Sequence, residues 1–450
     1  MRGYLAPSIG VACAAVLTLP LAVPATAAPP AAARTTASAR TTAVAPGRAT
    51  EAVPGATQSL PLAPVARTRG AVAGAVAAER GLPRRDVRSF SLLGVVWNDP
   101  GTELHGRVQV RTRAAGTADW SGWQDVETHN HEHAPDPGTA ESRAGRAHGS
   151  TAPLWVGDSD GVEVRVRAEA TRSRALALPD GLRVELVDPG VEAGSGVGAG
   201  PATRAAVRSG SGVPEAAVLP ALSRRETVRE AVREAESGAG AGAPAIQPFI
   251  GPRPRIVTRR GWGADEGLRE SGYVYTGKVK AAFVHHTATG NGYKCSQAAS
   301  VIRGIYRYHV LSSGWRDIGY NFLVDKCGTI YEGRAGGVTK PVLGAHTLGF
   351  NTNSMGIAVL GTFTKSRPAA AALKAIARLT AWKLGLYGAN PRGKTYLKSA
   401  GGNLYRKGKN VRLNVISGHR DGFATECPGR LLYGKLGSAR STAARYQGRR

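Results

Sequence analysis

The chain has 450 residues and a formal charge of +27, from 59 Lys and Arg against 32 Asp and Glu. That length is enough for two or more domains. The charge is uneven: residues 251–450 hold 33 Lys and Arg against 8 Asp and Glu, whereas the first 250 residues are close to neutral. One region is therefore suited to a polyanion or an anionic surface. Nucleic acid is not the expected partner. RRM, KH and zinc-finger spacings are absent, and the basic stretch 394–412 interleaves only two aromatics, Tyr396 and Tyr405.

The first 27 residues read as a secretory signal. Arg2 supplies a positive charge, 9–23 is apolar and small, and Ala25-Thr26-Ala27 fits a cleavage site. The apolar run is short for a membrane span and Pro20 interrupts it. No later segment is long and apolar enough to span a bilayer. The mature chain is expected to be exported, soluble and without a stable membrane anchor.

Residues 28–86 are rich in Ala, Pro, Arg and Thr. Such a stretch buries too little apolar surface to offset its ordering entropy, which predicts disorder. Residues 87–188 change character. Gly106-Arg107-Val108-Gln109-Val110-Arg111 and Val162-Glu163-Val164-Arg165-Val166-Arg167 alternate apolar with polar or charged side chains, the pattern of a half-buried antiparallel sheet. Turn signals at 158–161 and 179–181 separate the strands, and the expected fold is a β-sandwich of about 100 residues. Trp120, Trp123 and Trp155 are read as core or edge packing rather than sugar platforms. His129, His131 and His133 have metal-like spacing, but their polar, Pro- and Gly-flanked setting predicts a solvated loop.

Residues 189–251 are Gly-, Ala- and Ser-rich and read as a flexible linker. A short helix is possible at 224–236, where acids and arginines sit at i,i+4. Residues 252–450 alternate helices and strands. Strands are predicted at 280–285, 318–324, 356–360 and 411–417, and helices at 296–310 and from 366–368 to about 386. Residues 403–412 read as a basic loop or hairpin. The fold class is α/β, a mixed sheet flanked by helices.

The chemistry concentrates in Gly418-His419-Arg420-Asp421-Gly422-Phe423-Ala424-Thr425-Glu426-Cys427-Pro428. Imidazole and thiolate are good zinc ligands, and a loop of this length can fold His419 and Cys427 onto one ion. A third ligand has to come from elsewhere. The apolar strand Ala281-Ala282-Phe283-Val284-His285-His286 delivers two histidines at its end, and adjacent strand residues face opposite ways, so only one of them can join. Of the four cysteines, Cys13 leaves with the signal and Cys427 is the candidate ligand. That leaves Cys295 and Cys327, read as a disulfide in an oxidising compartment, with two buried thiols as the alternative.

Five further stretches accompany this one in order: Val284-His285-His286-Thr287-Ala288, Trp315-Arg316-Asp317-Ile318-Gly319-Tyr320-Asn321-Phe322, Ile330-Tyr331-Glu332-Gly333-Arg334, Gly344-Ala345-His346 and Asn353-Ser354-Met355-Gly356-Ile357. With them, residues 255–436 resemble the peptidoglycan recognition proteins, which include zinc N-acetylmuramoyl-L-alanine amidases of the type-2 fold. The resemblance implies His285, His419 and Cys427 as zinc ligands, leaving His286 out. It implies Tyr320 and Thr425 as catalytic groups. Thr425 stands where phage relatives carry a lysine, so it can donate a hydrogen bond but not a positive charge. Asp421 and Glu426 are expected to support the loop or face solvent. His309, Trp315, Arg334, His346 and Asn353 are implied to line a glycopeptide groove. The implied partners are peptidoglycan and, from the charge, anionic wall polymers. The competing reading is a binding module without catalysis, but members that only bind typically lack the cysteine, which this chain keeps.

Overall fold

In the computed structural model, residues 54–65, 78–128, 130–169, 176–190, 216–236 and 248–450 are described. The expected signal segment with Cys13, and His129, lie outside them.

Alternating apolar residues build the N-terminal β domain as predicted. Its strands join in one antiparallel array in which Ala56–Pro61, Arg183–Asp188, Glu79–Trp97, Leu154–Ala168, Gly106–Ala114 and Gln124–Val126 are successive neighbours. Val108, Val110, Val162, Val164 and Val166 are the inward members of the alternation and are buried together with Phe90 and Trp97. The predicted disorder of 28–86 does not hold throughout. Ala56–Pro61 pairs residue for residue with Arg183–Asp188, and Glu79–Trp97 begins inside that range. A backbone with little apolar side-chain surface can still be held as a strand by its ladder when the partner strand is buried.

The C-terminal domain is a seven-stranded mixed sheet. Its strands run in the order Ile416–Gly418, Ala281–His286, Ser354–Val359, Phe322–Val324, Ile330–Glu332, Ile256–Val257, Val218–Leu219. The first four are parallel. The predicted strand at 411–417 is split: Asn410–Asn414 pairs with Lys394–Lys398 as a hairpin, and only Ile416–Gly418 joins the main sheet. Strand alternation divides the two faces. Ala282, Val284, Ile357 and Val359 pack under the helices Ala370–Leu386 and Leu436–Tyr446. Ala358 and Leu360 point the other way, toward the helix Ala298–Arg307. The Cys295–Cys327 disulfide ties the entrance of that helix to the turn after Phe322–Val324. Among the described residues no helix is long and apolar enough to cross a membrane.

The stretch 189–251, read as a flexible linker, is not uniformly so. The possible helix is present at Arg224–Glu236, and Val218–Leu219 adds the outermost strand to the main sheet. The two domains also share a core. Leu92, Val96 and Val187 of the β domain are buried in one cluster with Ile302, Ile305 and Tyr308. Tyr308 passes its hydroxyl into the β domain and donates to the Thr151 carbonyl at 3.1 Å. A Cβ on Gly94 would lie 2.3 Å from that hydroxyl, so only glycine lets the ring in. The tryptophans are half-buried at edges rather than in the core. Arg165 lies 3.9 Å over Trp123 and Arg84 5.0 Å over Trp120, while the Trp155 amide donates to Thr289 of the neighbouring domain.

Candidate metal centre

The site lies where parallel strands end at their carboxyl side, the usual place for function in such sheets. Val284 pairs with Gly418, so His285 and His419 emerge from neighbouring strand ends with ring centroids 4.6 Å apart. The loop after His419 returns Cys427, whose Sγ is 3.8 Å from His285 Nδ1. The other nitrogen of His285 faces the Thr347 hydroxyl at 3.4 Å, which leaves Nδ1 for the cluster. His286 points to the opposite face, where its Nδ1 accepts from the Phe363 amide.

A fourth donor completes the group. His133 of the β domain places Nε2 3.7 Å from Cys427 Sγ, and its ring centroid is 4.5 Å from that of His419. The donor atoms of His133, His285, His419 and Cys427 all lie within 4.8 Å of one another, and all four residues are buried. The expectation of a solvated loop is therefore wrong for His133, which is 4% exposed. His131 does stay near the surface, paired with Glu103 at 2.9 Å.

The donor set fits zinc. Bonds of about 2.0–2.3 Å in a tetrahedron put neighbouring N and S ligands roughly 3.3–3.6 Å apart, close to the separations around Cys427. Both ring nitrogens of His419 and Nδ1 of His133 are buried without a hydrogen-bond partner among the described residues. Buried polar atoms are usually hydrogen-bonded, and a cation in the cluster would take one nitrogen of His419. Burial, and then the charges of neighbouring histidines, hold the imidazoles of His133, His285 and His419 well below their ordinary value. They are neutral, as ligation requires. Burial pushes the Cys427 thiol well up, opposed by the His286 amide; a cation in the cluster reverses that balance.

Around the four donors sit the other expected residues. Tyr320 is buried with its ring centroid 5.6 Å from His285 and 5.8 Å from His133. Tyr320, Thr425 and Cys427 line one small cavity. The Thr425 hydroxyl accepts from the Cys427 amide at 3.1 Å and donates to Glu132 at 2.8 Å. His309 stacks on Trp315 with centroids 4.4 Å apart and accepts from the Gly319 amide, so the pair braces the Tyr320 segment. His346 packs on His285 at 5.3 Å and meets the Thr347 hydroxyl. Arg334 is buried and forms a two-bond pair with Glu141. Asn353 is not brought here. It precedes the strand Ser354–Val359, whose Ala358 is the residue level with His285, and five residues of strand put it roughly 16 Å away. Asp421 accepts from the Gly418 amide and from Tyr433, and Glu426 borders the cavity beside Cys427 but pairs its carboxylate with Arg420 near solvent.

Residues 275–430 match the family described as N-acetylmuramoyl-L-alanine amidase, and residues 37–185 match the family described as Rv3811 N-terminal galactose-binding domain-like. Peptidoglycan-recognition protein SC2 of Drosophila simulans is 32% identical over 184 residues, which span 40% of this chain and 84% of that protein. The chain belongs to the peptidoglycan-recognition protein and type-2 amidase family. It carries an N-terminal β domain in addition. The human protein named N-acetylmuramoyl-L-alanine amidase is 31% identical over 193 residues, 41% of this chain but 28% of that protein's length. Among solved structures, Drosophila PGRP-LB is 28% identical and overlaps 41% of this chain and 92% of its own, with a TM-score of 0.33. His133 lies outside residues 275–430. The signal for it was its spacing from His131, which composition alone assigned to solvent.

Proposed function

We propose that the chain is an exported zinc amidase that hydrolyses the amide between the lactyl group of N-acetylmuramic acid and L-alanine in peptidoglycan. Residues 252–450 form the catalytic domain in this reading, and residues 1–27 direct export. The observation that carries it is the convergence of His285, His419 and Cys427 beside Tyr320 and Thr425, which share one cavity with Cys427. When bound, zinc supplies a Lewis acid that polarises the scissile carbonyl and activates the attacking water.

The chain's own residues do the rest. Thr347 and the packing of His346 fix the His285 ring. Burial, then the charges of Cys427 and Glu132, keep the Tyr320 phenol protonated far above neutral pH. It is therefore a constant hydrogen-bond donor for the oxyanion of the tetrahedral intermediate. Thr425 offers a second hydroxyl at the same cavity. Arg334 supplies a buried cation for an acidic group of the stem peptide. The basic surface of the domain favours anionic wall polymers.

The deciding experiment is product analysis of digested peptidoglycan. It uses the full chain and His133→Ala, because His133 stands at the remaining coordination position. New L-alanine amino termini should form, vanish with a chelator and return with zinc. Binding of peptidoglycan with no cleavage by either protein would leave a recognition module instead.

A further inference from the structure

The segment 130–148 belongs to the β domain yet reaches into the centre of the other domain. Its shape is set locally. The His133 amide donates to the Asn130 carbonyl, the Asn130 side chain donates to Ser150 at 3.1 Å, and Thr139 caps the short helix Ala140–Arg143. From this frame three acidic side chains leave toward the site, each onto a partner. Glu132 accepts from the Thr425 hydroxyl at 2.8 Å, and its carbonyl accepts from the Leu348 amide. Asp136 accepts from the Gly349 amide at 2.7 Å and from Asn351 at 2.8 Å. Glu141 takes two bonds from Arg334, at 2.8 and 3.0 Å, and one from the Arg316 amide at 3.2 Å. His133 sits between them on the metal cluster. Beyond the helix, Gly314 passes under the segment. A Cβ there would lie 1.8 Å from the Arg146 carbonyl, and its φ of +73° suits glycine.

This is not an incidental contact of two surfaces. Charge-assisted bonds to a buried guanidinium are among the stronger polar contacts, and four separate points are met by one short loop. The same loop covers Arg334 and Thr425, the groups a substrate needs, and brings a fourth donor to a centre that catalysis requires to be open at one position.

We infer that residues 130–148 are a built-in plug: His133 closes the fourth coordination position of the metal while Glu132 and Glu141 occupy Thr425 and Arg334 and Asp136 anchors the segment on Gly349 and Asn351, so that the chain as folded is latent. The inference rests on the amidase reading for what is being blocked, and on the contacts alone for the block itself. A ligand that needs the open form binds more weakly by the fraction of open molecules. A plug closed in about ninety-nine molecules of a hundred raises an apparent Kd by roughly 100-fold.

Two readouts test this without relying on turnover. The first is the visible spectrum of the cobalt-substituted protein titrated with azide, a small anion that can enter only an open coordination position. The second is calorimetric binding of a soluble N-acetylmuramyl tetrapeptide. Three proteins are compared: the full chain, His133→Ala, and the double variant Asp136→Asn with Glu141→Gln. The double variant keeps the four donors and loosens the anchors, so it serves if His133→Ala fails to fold. The full chain should show no azide-dependent change. His133→Ala should show one, and both variants should bind the muropeptide at least about tenfold more tightly, a difference of about 1.4 kcal/mol. Azide entry and muropeptide affinity in the full chain equal to those of the variants would overturn the plug. Variants that admit azide and bind muropeptide but never cleave it would overturn the amidase reading and leave the plug standing.

Discussion

Tyr320→Phe separates a catalytic tyrosine from a packing one. The substitution removes one oxygen and keeps a ring that is 3% exposed and flanked by His133, His285 and His309. The phenol makes no hydrogen bond to another described residue and lines the cavity beside Cys427. Deleting it therefore leaves no protein group newly unsatisfied, and the stability change should stay within about 0.5 kcal/mol. The zinc content should not change either, because the ring is not a donor in the cluster. Turnover is another matter. If the hydroxyl meets the oxyanion, its loss should cost a factor of about 10²–10³, or roughly 2.7–4 kcal/mol of transition-state stabilisation. The deficit should fall on kcat with KM nearly unmoved, since the interaction is absent in the ground state. The assay is release of L-alanine amino termini from peptidoglycan, run in the His133→Ala background so that a closed plug does not mask the rate. A kcat within about threefold of that background would assign Tyr320 to scaffold and refute the reasoning.

Three other outcomes follow from the same geometry. Purified protein should hold one zinc per chain, and Cys427→Ala, left with three histidines, should give it up to a lower chelator concentration; identical chelator titrations of the two would remove Cys427 from the ligand set. Replacing Cys295 and Cys327 by serine opens a loop with a sequence separation of 32, which should lower stability by roughly 3–4 kcal/mol in the chain-entropy model; superimposable urea transitions would contradict this. Burial lowers Lys383 to about 7 from an ordinary 10.5, so between those values the unfolded chain holds more protons and stability rises with pH, by at most about 1.4 kcal/mol per unit. The stability difference between the natural chain and Lys383→Met should grow in favour of the natural chain from pH 7 to 9, and a flat difference would mean the amine is not desolvated.

Much of the centre was legible because it is local. The run Ala281-Ala282-Phe283-Val284 can only be a buried strand, and period two then decides that His285 and His286 face apart. The strand ending at Gly418 and the return of the loop to Cys427 are likewise written in a few neighbouring residues. The distance of Asn353 from the cluster was not legible, because a motif position carries no distance. It lies at the amino end of its strand, and the ligands lie at the carboxyl end. The strand Ala56–Pro61 was invisible because its order comes from the ladder with Arg183–Asp188 rather than from its own apolar surface.

His133 was missed for a different reason, and that reason bears on how the molecule works. Residues 129–141 are rich in His, Glu, Asp, Pro and Gly, a composition that cannot bury itself and so reads as solvated. Three acidic side chains and a histidine of the β domain point one way, although Glu132 also has His131 of its own domain 3.6 Å away. The partners are Thr425, Asn351, Arg334 and the metal cluster, all on the other domain. Burial of the segment is thus a property of the docked pair, which the shared core of Leu92, Val96, Val187 and Tyr308 holds in place. In the plug reading, a loop whose acidic groups are satisfied largely across an interface exchanges those hydrogen bonds for water when it opens. Such exchanges are worth only about 0.5–1.5 kcal/mol each, or 1.5–3 when a charge is involved. Four of them in one segment can keep the groove closed, yet a ligand that offers a carboxylate to Arg334 replaces the bonds of Glu141 there.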